Sequence, residues 1–472
     1  MAEGGRTAAC RWLRRRLSAA RMRAPPVHPR DPIGWSAILV LAFLALAAVR
    51  LTIPSELFFD EVHYVPAARA ILDLSAPRNV EHPPLGKELI ALGMALFGDQ
   101  PLGWRIMPLL FGALALYSAM RAMWFASCSR AASLLTGFYL ITGFPLLVQA
   151  RIAMLDIFMV GLLMLALWMC AAAVREAETA RWRLAVAGAA LGGAMAAKWN
   201  CVPLAVLPGL TFLAIRWWCA RGRCLWARRG APVPGMTLAE AFVWLGLLPL
   251  VVYAAAYWPF PLFADGGPYF EEPSFLAGLV ALHERMLALQ TGLLTSHPYQ
   301  STWPQWVLNW RAIWYLYEPI DGAQRGVLLV GNPLTMLAGL PALAWCAWAG
   351  LRGFRRRAAA AAGALDDGMR GTGPARPAAL AVALLYAVSL GMWIVAPKPV
   401  QFYYHYFLPS CFLLAALALA TEALWKRGWR VPGGALVLGS AALFAWFYPI
   451  LTAAPLDGEL AFLHWSWLDS WR

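Results

Sequence analysis

Apolar runs about 20 residues long recur along this chain, and they decide what it can fold into. The first is Trp35 to Ile53. A helix rises about 1.5 Å per residue and the hydrocarbon core of a bilayer is about 30 Å thick, so such a run is long enough to cross. These runs lift the hydrophobic share to 61% and hold the charged share at 14%, against about 25% charged in a soluble domain. Further spans are expected at Trp104–Trp124, Ala131–Val148, Asp156–Val174, Ala185–Ala197, Val202–Trp218, Leu238–Tyr257, Val327–Leu351, Ala378–Val395, Tyr406–Leu424 and Gly434–Leu451, giving about 11 transmembrane helices. In lipid each backbone N–H and C=O must be bonded within its own segment, so the expected fold is an all-α polytopic membrane protein with helical outside loops.

Net charge is +14, which on one soluble module would suggest a nucleic-acid partner. Here the basic residues gather between spans instead: Arg11 to Arg23, Arg175 to Arg183, Arg216 to Arg229, Arg352 to Arg357 and Lys426 to Arg430. No nucleic acid is implied; such clusters mark cytoplasmic loops. With the N-terminus inside, every cluster falls in the cytoplasm and both long connections fall outside. The organisation expected is a basic cytoplasmic tail at 1–33, an N-terminal transmembrane module at 34–257 with a first outside loop at 54–102, a second outside loop at 258–326, and a C-terminal transmembrane module at 327–472. Ala358 to Ala379 is rich in Ala, Gly and Pro and reads as a linker. The first apolar run is long enough to span, so no cleavable signal is expected. Among the eight cysteines, Cys219 and Cys224 are close but no second pair follows; neither a zinc site nor a disulfide is expected.

The polar residues of the outside loops carry the chemistry. Phe58-Phe59-Asp60-Glu61-Val62-His63-Tyr64 puts two adjacent carboxylates just beyond the first span. A carboxylate with a tuned pKa can deprotonate a hydroxyl nucleophile; the same pair could simply open a solvated helix. Glu81-His82-Pro83-Pro84-Leu85-Gly86-Lys87 holds His82 and Lys87 on a stiff frame before a helix. His63, Glu81 and His82 lack the spacing of a metal site. Arg151 and Asp156 flank an apolar stretch at a membrane boundary, and Lys198 separates two spans. Arg151 and Asp156 are either an interfacial pair or functional, and Lys198 is either a phosphate clamp or a snorkelling anchor. His297, Arg311, Lys398 and His405 fall on the same face as Asp60. The interfacial belt that explains most of the tryptophans does not explain them. Carboxylates suit an acceptor, and cations suit a phosphate presented at the depth of a lipid headgroup.

These residues resemble a protein O-mannosyltransferase of the GT-C superfamily, in its shorter bacterial form. Asp60-Glu61 is similar to the family's first-loop acidic pair, and His82 to Lys87 to its His-Pro-Pro-Leu-Gly-Lys stretch. Arg151 with Asp156, His297-Pro298-Tyr299, Trp303, Arg311, Gly331-Asn332-Pro333 and Trp467-Leu468-Asp469-Ser470-Trp471 are similar to later landmarks. The resemblance covers residues 50–472 and the layout of spans. It implies the GT-C fold and inverting transfer of mannose from a polyprenyl-phosphate sugar to a Ser/Thr hydroxyl of a protein. The catalytic residues implied are Asp60, as general base, and Glu61, positioning the acceptor or the base. His82, Lys87, Arg151, Asp156, Lys198, His297, Arg311 and His405 would bind substrate, the cations holding the leaving phosphate. A divalent cation (Mg or Mn) could share that task, with no metal ligands assigned. The location implied is the bacterial inner membrane, with the site on the periplasmic face. One departure is plain: eukaryotic members carry a soluble β-trefoil in the second long connection, and about 60–70 residues leave no room for it.

Two other readings compete. Related transferases of the same architecture use other sugars and modify lipids or polysaccharides. A transporter or flippase for a lipid-linked sugar would need polar residues along a path through the spans, and few ionisable residues lie inside them.

Overall fold

The computed structural model describes residues 31–220, 225–228, 230–265, 272–292, 297–361, 375–396 and 398–472. Nearly all of the basic tail, Cys10, the Cys219 and Cys224 side chains, and the middle of the Ala358–Ala379 stretch lie outside the described residues.

The helices of the N-terminal half are α1 (Ile33–Ala48), α2 (Glu61–Asp73), α3 (Leu85–Phe97), α4 (Pro101–Ser127), α5 (Arg130–Thr142), α6 (Pro145–Gln149), α7 (Leu155–Arg175), α8 (Ala180–Ala197) and α9 (Val202–Ala220). Next come α10 (Leu238–Phe242), a π turn, α11 (Leu248–Ala255), α12 (Phe275–Thr291) and α13 (Trp303–Val307). A hairpin of β1 (Ile313–Ile320) and β2 (Ala323–Leu329) precedes α14 (Pro333–Ala361), α15 (Ala375–Val395), α16 (Phe407–Lys426) and α17 (Arg430–Leu451). Eight described helical segments are long and apolar enough to cross a membrane. The expected spans at Trp35–Ile53, Ala131–Val148 and Ala185–Ala197 correspond to the shorter α1, to the broken pair α5–α6, and to the Gly/Ala-rich α8.

The break between α5 and α6 has a local cause. Pro145 disfavours helical backbone at the residue before it, and Phe144 takes a φ of 83°. The carbonyls freed at the break need donors. Asn332 supplies two: its amide donates to the Thr142 carbonyl at 2.9 Å and its backbone N–H to the Gly143 carbonyl at 3.0 Å, while the same amide reaches the Ser440 carbonyl of α17 at 3.1 Å. The Gly331-Asn332-Pro333 motif thus ties α5 to α14 and α17.

In the N-terminal half α7 packs between α4 and α8; in the C-terminal half α16 packs against α5, α14 and α15. The small helices α2 and α3 of the first long connection pack on each other, and α3 also packs on α4. Gly86 permits α3 to settle on the start of α7: a Cβ there would stand 2.7 Å from Leu155 Cδ2. The His-Pro-Pro-Leu-Gly-Lys segment is thereby seated beside Asp156.

The expected helical outside loops need one correction, because the second connection ends in a two-stranded antiparallel sheet. Ile320 pairs with Ala323 across Asp321 and Gly322, whose φ values are 50° and 75°. Asp-Gly with both φ positive is the turn that matches strand twist, so the hairpin signal was present in the sequence. The Trp-rich C-terminus packs on this hairpin, Trp314 donating to the Trp471 carbonyl at 2.8 Å.

Candidate active site

Asp60 stands at the N-terminus of α2 yet does not cap it; its carboxylate accepts no hydrogen bond among the described residues. The side chain is half-buried in a cleft. Burial pushes its carboxyl up to about 6, against the opposing pull of Lys198, His63 and Lys398. Asp156 adds a further upward push. A carboxylate at about 6 is a competent base near neutrality, and its lone pairs are free to receive a proton.

The neighbouring carboxylate is the opposite case. Glu61 is fully buried and bonded to Arg105 at 2.9 and 2.8 Å. It also accepts from Ala153 N–H at 2.9 Å and Phe58 N–H at 3.4 Å. With its lone pairs taken by protein donors, Glu61 fastens the start of α2 to α4 and to the segment before α7. Arg105 also donates to the Leu51, Pro54 and Glu56 carbonyls. The orientation of Asp60 follows from this anchor one residue along.

The cations divide by what already holds them. Lys198 bonds Asp156 at 2.7 Å, both buried, and its ammonium sits 5.0 Å from the Tyr404 ring centre. Lys398 donates to Gln290 Oε1 at 3.0 Å and meets no carboxylate in a salt bridge among the described residues. Burial holds the Lys398 amine down to about 8. Lys87 is spent on carbonyls, Asn79 at 2.6 Å and His82 at 2.8 Å. Burial lowers its amine to about 7. Arg151 is likewise spent: it donates to the carbonyls of Ala47, Val49 (2.6 Å), Arg50 (3.1 Å) and Thr452 (3.5 Å), closing the C-terminal end of α1.

The remaining residues differ in burial. His82 packs edge-on to Tyr64 and its Nδ1 faces Gln290 at 3.4 Å. Burial, then Lys198 and Lys398, hold its imidazole well below the ordinary value, so it is neutral. His405 is buried, stacked on Trp393 at 3.9 Å, with Nδ1 accepting from Phe402 N–H at 3.0 Å and Nε2 unpartnered. His297 is exposed and accepts from Tyr299 N–H at 3.1 Å, while Arg311 donates to the Pro298 carbonyl at 2.6 Å. Arg311 is not among the largest influences on Asp60. Asp60, His63, His82, Asp156, Lys198, Lys398 and His405 therefore lie near enough for their charges to act on one another, whereas Arg151 and Arg311 are bonded to main-chain carbonyls.

Sequence reasoning passed over Arg105, Gln290 and Tyr315. Tyr315 of β1 stacks on Phe59 at 4.0 Å and accepts from Gln149 Nε2 at 3.1 Å, closing the cleft beside Asp60. Among the described residues no three His, Cys, Asp or Glu side chains come together to hold a metal ion.

Known proteins resemble this chain in sequence and in fold. Residues 275–471 match the family profile described as the C-terminal four TMM region of protein-O-mannosyltransferase. Residues 81–256 match that of dolichyl-phosphate-mannose-protein mannosyltransferase. A polyprenol-phosphate-mannose–protein mannosyltransferase of Mycolicibacterium smegmatis is 28% identical over 95% of this chain and 95% of its own. One from Corynebacterium glutamicum is 26% identical over 95% and 96%. In structure, the Saccharomyces cerevisiae protein O-mannosyltransferase Pmt1-Pmt2 complex bound to the sugar donor aligns at a TM-score of 0.76, with 14% identity, over 97% of this chain and 94% of that one. ArnT from Cupriavidus metallidurans bound to undecaprenyl phosphate aligns at 0.51, with 19% identity, over 88% and 64%. The two structural likenesses concern the fold.

Proposed function

The chain belongs to the protein O-mannosyltransferase family, with the GT-C fold, and we propose that it moves mannose from a polyprenyl-phosphate carrier to a Ser/Thr hydroxyl of a protein, with Asp60 as the general base. Asp60 takes the hydroxyl proton as the oxygen attacks the anomeric carbon from the face opposite the phosphate. The bond from that carbon to the phosphate oxygen breaks, configuration inverts, and the electron pair leaves with the lipid phosphate. Such a leaving group needs charge stabilisation more than a proton. Lys198 and Lys398 supply it, and neutral His82 borders the same space. Glu61 acts as a positioning residue through its bonds to Arg105 and Ala153. Lys87 and Arg151 act by holding backbone, His297 and Arg311 shape the outer rim, and buried His405 stands beside the two lysines.

The observation that carries this reading is the unpartnered, half-buried Asp60 carboxylate set against Lys198 and Lys398. We place the chain in a bacterial inner membrane, N-terminus in the cytoplasm and cleft on the periplasmic side. That orientation is supported by Arg175, Arg181 and Lys426, which lie at helix ends away from the Asp60 loop. The test is in vitro: membranes carrying the protein, a polyprenyl-phosphate-mannose donor and a Ser/Thr-rich peptide. Mannosylated peptide with wild type and none with Asp60→Asn is the expected result; equal product from both would refute the base assignment.

A further inference from the structure

Gln290 sits near the C-terminal end of α12, within the second outside connection, and its amide is fully committed. Its Oε1 accepts from the Lys398 ammonium at 3.0 Å. Its Nε2 donates to the Glu81 carbonyl at 2.9 Å and faces His82 Nδ1 at 3.4 Å. The ammonium has to meet the oxygen, so the amide nitrogen has to face Glu81 and His82. One neutral side chain thus joins the first outside loop, the second, and the segment after α15.

Helix α12 is itself held at mid-length. His283 Nδ1 bonds the Leu279 carbonyl at 2.7 Å, and its Nε2 bonds the Tyr253 hydroxyl at 2.5 Å. Trp199, the residue after Lys198, donates to the same hydroxyl at 2.8 Å. Gln290 is therefore presented from a fixed helix, and that helix is tied to the neighbour of the other lysine of the cleft.

We propose that Gln290 is a positioning residue for the donor: it aims the Lys398 ammonium and the His82 ring at the lipid-linked phosphate without neutralising either. A carboxylate at this position would hold Lys398 equally well in space but would cancel the charge the phosphate needs. A neutral acceptor leaves that charge whole. With Nδ1 facing the amide donor, His82 presents Nε2–H toward the cleft as a further donor. The effect belongs to donor binding; the Asp60 side of the cleft, where an acceptor hydroxyl must reach the base, is not touched by Gln290.

This inference rests on the mannosyl-transfer reading, and a double-mutant cycle in the full-length membrane protein separates the two. Initial rates are measured with a polyprenyl-phosphate-mannose donor and a Ser/Thr-rich peptide for wild type, Gln290→Leu, Lys398→Met and the double variant. Loss of one charge-assisted hydrogen bond corresponds to a rise of about tenfold to 150-fold in donor KM. Gln290→Leu should show such a rise with peptide KM unchanged. Gln290 acting through Lys398 requires the double variant to be little worse than Lys398→Met alone. Multiplicative effects, or an unchanged donor KM, overturn the inference. Wild type that gives no product overturns the parent reading instead. Should Gln290→Leu fail to accumulate in membranes, Gln290→Glu decides the matter. That variant keeps the Lys398 contact, so a purely structural role predicts a donor KM like wild type. Charge cancellation predicts a rise at least as large as that expected of Gln290→Leu.

Discussion

Glu61 gives both of its carboxylate oxygens to the guanidinium of Arg105, at 2.9 and 2.8 Å, and neither side chain is exposed. The pair sets the start of α2 and so the direction of the next residue back, Asp60. The two adjacent carboxylates have therefore parted company: one is spent on the fold and one is left free.

Breaking that pair should cost far more than its net contribution. Arg105→Met leaves an ionised carboxylate buried without its counter-charge, which costs about 3–5 kcal/mol. Glu61→Gln leaves a neutral amide facing Arg105 and should cost less. Combining the two should recover part of the loss, because no unopposed carboxylate remains. Thermal unfolding of the purified protein in detergent checks this order: Arg105→Met lowest, the double variant between it and wild type.

Asp60→Asn should behave differently, leaving the unfolding transition in place while transfer falls by about 10²–10⁴-fold, the usual worth of a general base. The pH profile follows from the two titrating groups of the cleft. Asp60 must be ionised to accept a proton, and its carboxyl lies at about 6, so turnover should fall as pH drops through that value. Lys398 must be protonated to meet a phosphate, and its amine lies at about 8, so donor KM should rise as pH climbs through that value. Lys398→Met should abolish the alkaline change in donor KM and keep the acid limb. Steady-state kinetics from pH 5 to 9 check both limbs.

How much of this was readable beforehand depended on whether the partner of each residue had a side chain to notice. Asp60 was legible because carboxylates directly after an apolar run are costly unless used, and Lys198 because it interrupts two spans. Asp156 was legible as a charge at a membrane boundary, though its partner is Lys198 and not Arg151. Arg151 was legible as a charge at a membrane boundary, with its partners hidden. Its guanidinium is consumed by main-chain carbonyls of Ala47, Val49 and Arg50, about a hundred residues earlier in the chain. Backbone oxygens carry no sequence signature, so a phosphate ligand and a helix-end staple look alike until the chain is folded. Gln290 had no signal at all, being a neutral amide on an ordinary helix. The hairpin had one in Asp321-Gly322, which the surrounding Trp-rich segment obscured.

Arg151 yields the third prediction. Arg151→Leu strips donors from carbonyls at the end of α1 and from Thr452, each charge-assisted bond contributing about 1.5–3 kcal/mol. The expected outcome is a lower unfolding temperature and less folded protein, with donor KM of the folded fraction unchanged. Arg151→Lys should rescue little, because one ammonium cannot span carbonyls that a planar guanidinium reaches together. Donor KM measured on protein that has passed size-exclusion chromatography separates this from a phosphate-binding role, under which KM would rise while stability held.

The Lys198–Asp156 pair yields the last, and it turns on sign. Lys198 pulls the Asp60 carboxyl down and Asp156 pushes it up, Lys198 being the larger influence of the two. Removing the lysine in Lys198→Met leaves the Asp156 charge unopposed beside Asp60, so the acid limb of turnover should move above 6. Asp156→Asn removes the upward push and leaves Lys198 free, so the limb should move below 6. Both variants lose the 2.7 Å ion pair, so a general loosening of the cleft would shift them the same way or not at all. Opposite displacements of the acid limb would therefore report electrostatic control of the base, whereas parallel ones would mean that this pair matters to Asp60 only through packing.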